Sequence, residues 1–589
     1  MSLMSGIYVG TSGLQTSQNA LNTTAHNLTN MDTTGFVRQQ TLLGDKVYNT
    51  IKFGSTSTNS QQVGLGVTYE KVRQVRDYFL DQSYRRENGR AAFYEESYAA
   101  MTEVEDLLDE MNDDASFNQS LVDLWSAIEE LAKTPDDTVV QRLLVQNAQS
   151  FLTNASQVYQ GLIDYQNELN AQIKDKVEEI NELGHKINDL NDQIRAVEAG
   201  KIESANDLRD ARNEALDELS GLVNISYSED IYGSITVKVE GVSFVASDTV
   251  FEMDVDMDAS TGYYTPYWVI NSENKQRADG TVYLDISNAK VFNLEQLISS
   301  ESNTDVGELR ALLYIRGDKV ADYTDIPVKP EVPVESDYAT SAEYEAAVEQ
   351  YGKDLDVYEQ KVDYYNHTIA QSVCMNTQAE FDQLIHSVAT AINDIFYEAW
   401  QENGGEYMCD DDGSPLELFQ RVECDGYSYD EATGTWSHID EITDDDYYSD
   451  TLYSIPNLQI NPTLIREAGK MGFVLSDGTV DYETAEKIVA AFDADAYALN
   501  PNVTTKCSLN TYYTNLVSQV ANSGSVYKNI SASQDATVSS ISASREQIVG
   551  VSSDEELTNM IRYQNAYNAS SRYINVIDEM LEHIITSLT

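Results

Sequence analysis

Between Met1 and Val37 the sequence carries one formally charged side chain, Asp32, although the whole chain has a formal net charge of -61. The rest of that stretch is Ser, Thr, Asn, Gln and Gly around a sparse apolar series in which Ile7, Leu14, Leu21 and Leu28 recur every seven residues. Such spacing draws a narrow stripe along a helix, too thin to hold a lone helix in water. The uncharged polar face is a second constraint, because a solvated helix face ordinarily carries Lys and Glu. In a homopolymer every surface charge lies close to copies of itself, so a segment buried among identical neighbours gains by exchanging charge for Ser, Thr, Asn and Gln. The first helix therefore has to find partner helices; Asn27, Asn30, Asp32 and Gly35 then end it and turn the chain.

The other terminus answers it. Ser553-Asp-Glu-Glu556 has the pattern of a capping box, Ser553 accepting a backbone N–H and Glu556 reaching back, with acidic residues in the favourable first turn. Beyond it Met560, Tyr567, Ile574, Leu581 and Leu588 repeat at seven, and Tyr563, Ile577 and Ile584 fill most intermediate positions, a heptad seam that runs to the last residues. An amphipathic helix packed on its own domain would show the same periodicity. Partner helices are favoured by the position of the seams at the extreme termini, where domains usually fray, and by the missing charge of the first. The expected assembly contacts are Ile7, Leu14, Leu21, Leu28, Tyr563, Tyr567, Ile574, Ile577, Leu581 and Leu588, with Asn30, Gly35 and Arg38 at the turn.

A chain of 589 residues exceeds one core, so several domains are expected. With 98 acidic against 37 basic side chains and a pI near 4.1, it would repel phosphate backbones and anionic lipid surfaces, which excludes nucleic acid and membranes as partners. Cys374, Cys409, Cys424 and Cys507 are widely spaced and suggest neither a zinc ribbon nor a disulfide framework. No Lys or Arg precedes Arg38, no apolar h-region follows the N-terminus and no run marks a membrane span, so the expectation is a soluble protein that, if exported, leaves without a cleaved signal peptide.

The expected fold class is mainly α with β insertions: a long terminal and central helical bundle or coiled coil carrying an outer β-rich domain and a second acidic insertion. Residues 1–83 form the N-terminal assembly helix and turn. Residues 84–224 form a helical bundle with a break at Thr134-Pro-Asp-Asp-Thr138. Within it Ile173, Ile180, Leu183, Ile187, Leu190, Ile194 and Val197 fit a heptad, and Asn206 stands as the N-cap of a helix lined by Leu208, Ala211, Ala215, Leu219 and Leu222. The period changes to two after Asn224, with a hairpin turning at Glu240-Gly241, so 225–300 reads as the outer β-rich domain. Residues 301–400 return to helix through a stiff acidic connector with Pro327, Pro330 and Pro333. Residues 401–507 hold an Asp- and Tyr-rich surface insertion, to about Asn461, and connecting helices; 508–589 complete the bundle.

Sites for chemistry are scarce. If Gly413 of Asp410-Asp-Asp-Gly413 is the sixth residue of an EF-hand loop, positions one and twelve fall on Met408 and Phe419, which cannot ligate. Asp444-Asp-Asp446 with Asp450 reads as exposed acid surface. No nucleophile elbow, zincin helix or phosphate loop occurs. The expectation is therefore no catalysis, no metal and no cofactor.

Residues 24–40, TAHNLTNMDTTGFVRQQ, resemble the N-terminal motif of bacterial flagellar axial proteins. Residues 545–585, REQIVGVSSDEELTNMIRYQNAYNASSRYINVIDEMLEHII, more narrowly resemble the hook-associated protein 1 family. The order Phe117-Asn-Gln-Ser, TPDDTVVQRLLVQNAQSF, long coil, then ANDLRDARNEALDELSGLVNISYS is similar to that family as well, and not to hook or rod proteins, whose middles are mainly β. Thr34 stands where the family often has Pro, and Val37 where Ser is common. The resemblance implies a structural, extracellular flagellar component at the hook-filament junction. It further implies a homo-oligomeric ring, contacts with the flagellar hook protein and hook-associated protein 3, export by the flagellar type III apparatus, and an export chaperone on the C-terminal helix. Segments 1 to about 50 and 553 to 589 would then order only on assembly. Alternatives are another axial protein of rod or hook type, or a calcium- or glycan-binding surface module on a helical stalk.

Overall fold

The computed structural model describes residues 3–47, 49–52, 60–109, 116–200, 203–246, 248–277, 282–338, 340–430, 434–442 and 450–588. In chain order the helices are α1 (Leu3–Thr29), α2 (Tyr78–Asp109), α3 (Phe117–Lys133), α4 (Thr138–Glu198), α5 (Asn206–Leu222) and α6 (Glu308–Arg316). They continue with α7 (Ser341–His367), α8 (Val373–Glu402), α9 (Pro462–Arg466), α10 (Tyr482–Asp493), α11 (Leu509–Val549) and α12 (Ser553–Leu588). Asp137 starts the longest, α4, by accepting the Val139 N–H, so the Pro135 break ends α3 and the acid behind it caps the next helix. The cap of α5 differs from expectation: Ala205 occupies the cap position without a side-chain bond, and Asn206 is already helical.

The core is centred where α3, α4, α8 and α11 meet. The Phe117 ring lies 5.4, 4.9 and 4.7 Å from the rings of Phe151, Phe381 and Tyr513. Burying aromatic rings of this size at one point locks the crossing of the four helices. Further along α4, Ile173, Ile180, Leu183, Ile187, Leu190 and Ile194 are buried while Val197 is exposed. The stripe is closed by α5, α6 and outer strands, so its heptad spacing serves a helix-on-sheet contact as well as helix packing.

Asparagines fasten those strands to the helix. Asn170, Asn181 and Asn191 of α4 each use the side-chain amide as a mock strand. Asn170 donates to the Gly262 carbonyl and accepts the Tyr264 N–H, and Asn181 does both with Met253. Asn191 does both with Ile235 while also taking an Arg212 N–H. The strands so held are a four-stranded antiparallel sheet in the order Ile225–Glu229, Ile235–Val239, Val242–Ala246, Thr249–Val250, and the pair Met253–Met257 with Tyr264–Trp268. Glu240 and Gly241, at φ 50° and 79°, form the two-residue hairpin turn that needs positive φ at both positions. The Glu240 carboxylate accepts from Arg310 of α6 at 2.8 Å.

Two segments depart from the helical plan. Tyr323 N–H donates to Asp382 of α8 and Tyr365 O–H to Asn376 of α8, so the connector and α7 leave and rejoin the body at one place. Between those anchors Pro327, Pro330 and Pro333 are half-buried while Val328 is 80% and Val332 65% exposed. On α7, Tyr344, Tyr351 and Tyr358 are the half-buried tyrosines. Residues 401–461 behave differently from an appended surface insertion: Leu416, Leu418, Phe419, Tyr453, Ile455, Leu458 and Ile460 all enter the main core. Asp444-Asp-Asp446 lies outside the described residues. The carboxylates of Asp410 and Asp411 are engaged by Asn461 and by Arg466 and Lys470.

Candidate assembly interface

From Gly6 to Asn27, helix α1 has no bulky side chain along the line where it meets α12. Gly6 faces Ile577, Gly10 faces Ile574 and Gly13 faces Ser570, so the two helices run antiparallel; a methyl group built on these glycines would lie 2.8, 2.6 and 2.7 Å from those side chains. The line continues through Ser17, Ala20, Thr24 and Asn27, all buried, at alternating spacings of four and three. Small residues at both heptad positions let two helix backbones approach closely, and the bulk comes entirely from α12. Ile7, Leu14, Leu21 and Leu28 are half-buried on the flank of this line rather than at its centre. On α12, Ile577 is 4% exposed, and Tyr563, Tyr567, Ile574 and Leu581 are half-buried. Leu588 is the last residue of the helix.

Around the rest of α12 apolar side chains stay open. Leu557, Ile561, Val576, Met580 and Ile585 are exposed, as is Tyr8 of α1. Apolar side chains spread along one helix beside half-buried leucines of its partner form a surface that water covers poorly. The intramolecular pair thus covers one line of α12 and leaves apolar side chains on both sides of it uncovered.

The turn after α1 joins both termini to the body. The Asn30 backbone N–H and side-chain amide both donate to the His26 carbonyl, at 3.2 and 3.0 Å. Gly35 at φ +76° occupies a left-handed position that a β-carbon disfavours. Asn27 clamps Gln39 as the α4 asparagines clamp their strands, at 2.8 and 3.0 Å. Arg38 then reaches the first turn of α12, with Nη1 2.9 Å from Glu555 and Nε 2.9 Å from Glu556, and its N–H donates to the Val549 carbonyl at 2.8 Å. Glu556, 2% exposed, is therefore committed to Arg38 and not to a capping box with Ser553. The helix begins one residue earlier than that box requires: Ser552 offers its carbonyl to the Glu556 N–H and its Oγ to the Glu555 N–H.

Sequence reasoning missed the glycine line and the Glu556 partner. The first was legible in principle, because Gly6, Gly10, Gly13, Ser17, Ala20, Thr24 and Asn27 alternate four and three, but a search for apolar periodicity passes over residues with no apolar bulk. The second depends on a contact between residues 518 positions apart.

Comparison with known proteins places these elements. The model described as "Flagella basal body rod protein" matches residues 7–36, which is α1 with its turn. That described as "Flagellar basal body rod FlgEFG protein C-terminal" matches residues 547–587, which is α12 with its lead-in. Residues 101–326 match "Flagellar hook-associated protein FlgK helical domain". Flagellar hook-associated protein 1 of Bacillus subtilis is 23% identical over 99% of this chain and 98% of its own. Its namesake in Salmonella typhimurium is 22% identical over 98% of each, and that of Escherichia coli 22% over 98% of each. Among solved structures, the flagellar hook junction protein FlgK from Burkholderia pseudomallei superposes with a TM-score of 0.50 at 12% identity, covering 80% of this chain and 100% of the other. With rod-type segments at both ends and the helical domain between them, the chain is similar over nearly its whole length to flagellar hook-associated protein 1.

Proposed function

We propose that the chain is a structural, non-enzymatic subunit of the junction between flagellar hook and filament, and that it assembles through the paired terminal helices. The observation that carries this reading is the α1–α12 pair, a charge-poor helix packed by its glycines against a helix that leaves Leu557, Ile561, Val576, Met580 and Ile585 exposed. A monomer has no use for those open side chains, whereas a ring of identical subunits covers them copy by copy. The candidate contacts are Ile7, Leu14, Leu21 and Leu28 on α1 and Tyr563, Tyr567, Ile574, Ile577, Leu581 and Leu588 on α12, with Asn30, Gly35 and Arg38 fixing the turn. In this reading the ring sits on the hook protein and receives hook-associated protein 3. The chain leaves the cell through the flagellar type III apparatus, and α12 is held by an export chaperone until assembly.

Removing residues 574–588 tests it. The truncated protein should remain folded and soluble, because the core around Phe117 is untouched, but should fail to join isolated hooks. Junction assembly by the truncated chain would sink the proposal.

A further inference from the structure

The four-stranded sheet ends on Ile225–Glu229, which pairs on one side only. The Glu240 N–H donates to the Asn224 carbonyl and the Asp230 N–H to the Ser234 carbonyl, so in this antiparallel ladder Ser226 and Ser228 turn their backbone groups toward Ile235–Val239. Ile225, Tyr227 and Glu229 therefore turn theirs outward. Tyr78 of α2 agrees with that direction, donating its hydroxyl to the Tyr227 carbonyl at 3.3 Å. No described residue bonds to the outward N–H and carbonyl of Ile225. Sheets ordinarily blunt a free edge with Pro, a bulge or charge. This ladder is regular and has no Pro, and its one charge, Glu229, is taken up by Arg209 and Arg212.

A groove of about 310 Å³ lies between this edge and the first turns of α2. Phe79, 74% exposed, forms its outer wall beside the half-exposed Tyr78. Arg85 and Arg86 are the charged residues that line it. Arg85 is held 4.5 Å from the centre of the Tyr227 ring by its bonds to Asp217 and Asn213. Arg86, paired with Glu87, keeps 59% of its side chain in solvent. Positive charge is concentrated here: residues 71–90 hold six of the chain's 37 basic residues (Lys71, Arg73, Arg76, Arg85, Arg86 and Arg90) against Asp77, Asp81 and Glu87.

We propose that the groove takes an extended acidic segment of a partner protein, which adds a strand to the sheet at Ile225–Glu229. The outward backbone groups supply the ladder, Phe79 covers an apolar side chain of the incoming strand, and Arg86 meets a carboxylate. The rest of a chain with net charge -61 repels acids, so a groove whose own charges are both positive is selective by contrast with its surroundings. The same edge of a second copy would bring two further arginines against these and is disfavoured.

The groove lies within one chain, so its test does not depend on the assembly role. The probe is a fluorescein-labelled peptide of alternating Asp and Val, added to the full-length protein at ~0.15 M salt, where a Debye length of about 8 Å screens the distant acidic surface. Its anisotropy should rise saturably, and the Ile225 and Glu229 amides should exchange more slowly in its presence. Arg86→Glu should weaken binding about tenfold. Ile225→Pro, which removes an N–H that the sheet itself does not use, should weaken it about fivefold. A peptide of alternating Lys and Val that binds as well, an Arg86→Glu protein that binds as the wild type does, or unchanged exchange at Ile225 and Glu229 would overturn the proposal. So would protection of those amides that grows with protein concentration in the absence of peptide, which would assign the edge to a second copy. If Ile225→Pro fails to fold, Arg86→Glu, which changes an exposed side chain, still decides the matter.

Discussion

Single residues set how close the termini can come. Gly10 is the tightest point of the α1–α12 contact, and any side chain there meets Ile574. Overpacking a closed interface costs about 1–3 kcal/mol, and here it falls on the helix pair alone. Gly10→Val should therefore lower junction assembly on isolated hooks at least tenfold while leaving the thermal unfolding of the body unchanged. A shift of the main unfolding transition by several degrees would mean that the pair is part of the body's core. Arg38 works at the same scale by different means: its guanidinium neutralises Glu555 and the nearly inaccessible Glu556 at once, converting an acidic helix start into a joint between the two ends of the chain.

At the scale of elements, the helices were legible and their partners were not. The Thr134-Pro-Asp-Asp-Thr138 break, the seven-residue stripe of α4 and the Glu240-Gly241 turn each have a local cause in spacing, capping or positive φ, and each sits where the sequence puts it. What closes the α4 stripe could not be read, because a heptad states that one face is buried without stating what covers it. The amides beside that stripe were equally silent: Asn170, Asn181 and Asn191 look like solvent-facing polar residues in sequence, and act as strand fasteners once the sheet lies against them. Residues 401–461 mislead for a related reason. Their Asp-rich loops dominate the composition, whereas the residues that enter the core are spaced singly among them. The fasteners give a direct check. Asn191→Ala leaves the Ile235 N–H and carbonyl and one Arg212 N–H without their partner, at a cost of about 2–3 kcal/mol. Thermal unfolding should fall accordingly, with Ile235 losing amide protection. An unchanged melting temperature would show that water replaces the amide without loss.

Over the whole molecule, charge and burial act together. Besides the net charge of -61, the body buries several carboxyls whose ionisation burial opposes. Glu240, Glu380 and Glu417 are each pushed up to about 7, and Asp382 to about 8. In the unfolded chain these groups lose their protons near pH 4, so their contribution to stability is fully present below that value and declines as pH rises to between 7 and 8, where the folded groups ionise too. Self-repulsion of the acidic surface adds to the decline and is relieved by salt. Chemical denaturation between pH 5 and 8 should show this fall, and Asp382→Asn should flatten part of it. Stability that rises with pH over the same range would reverse the sign. An acidic exterior of this kind suits a subunit that must stay soluble until its charge-poor terminal arm finds copies of itself. Hydrogen exchange on the free, full-length subunit tests that division most directly. Because α1 and α12 are closed on each other along one line only, both should exchange well before α4 between Ile173 and Ile194, which stays protected. Terminal helices as strongly protected as α4 would place them in a closed monomer core and contradict assembly through a waiting helix pair.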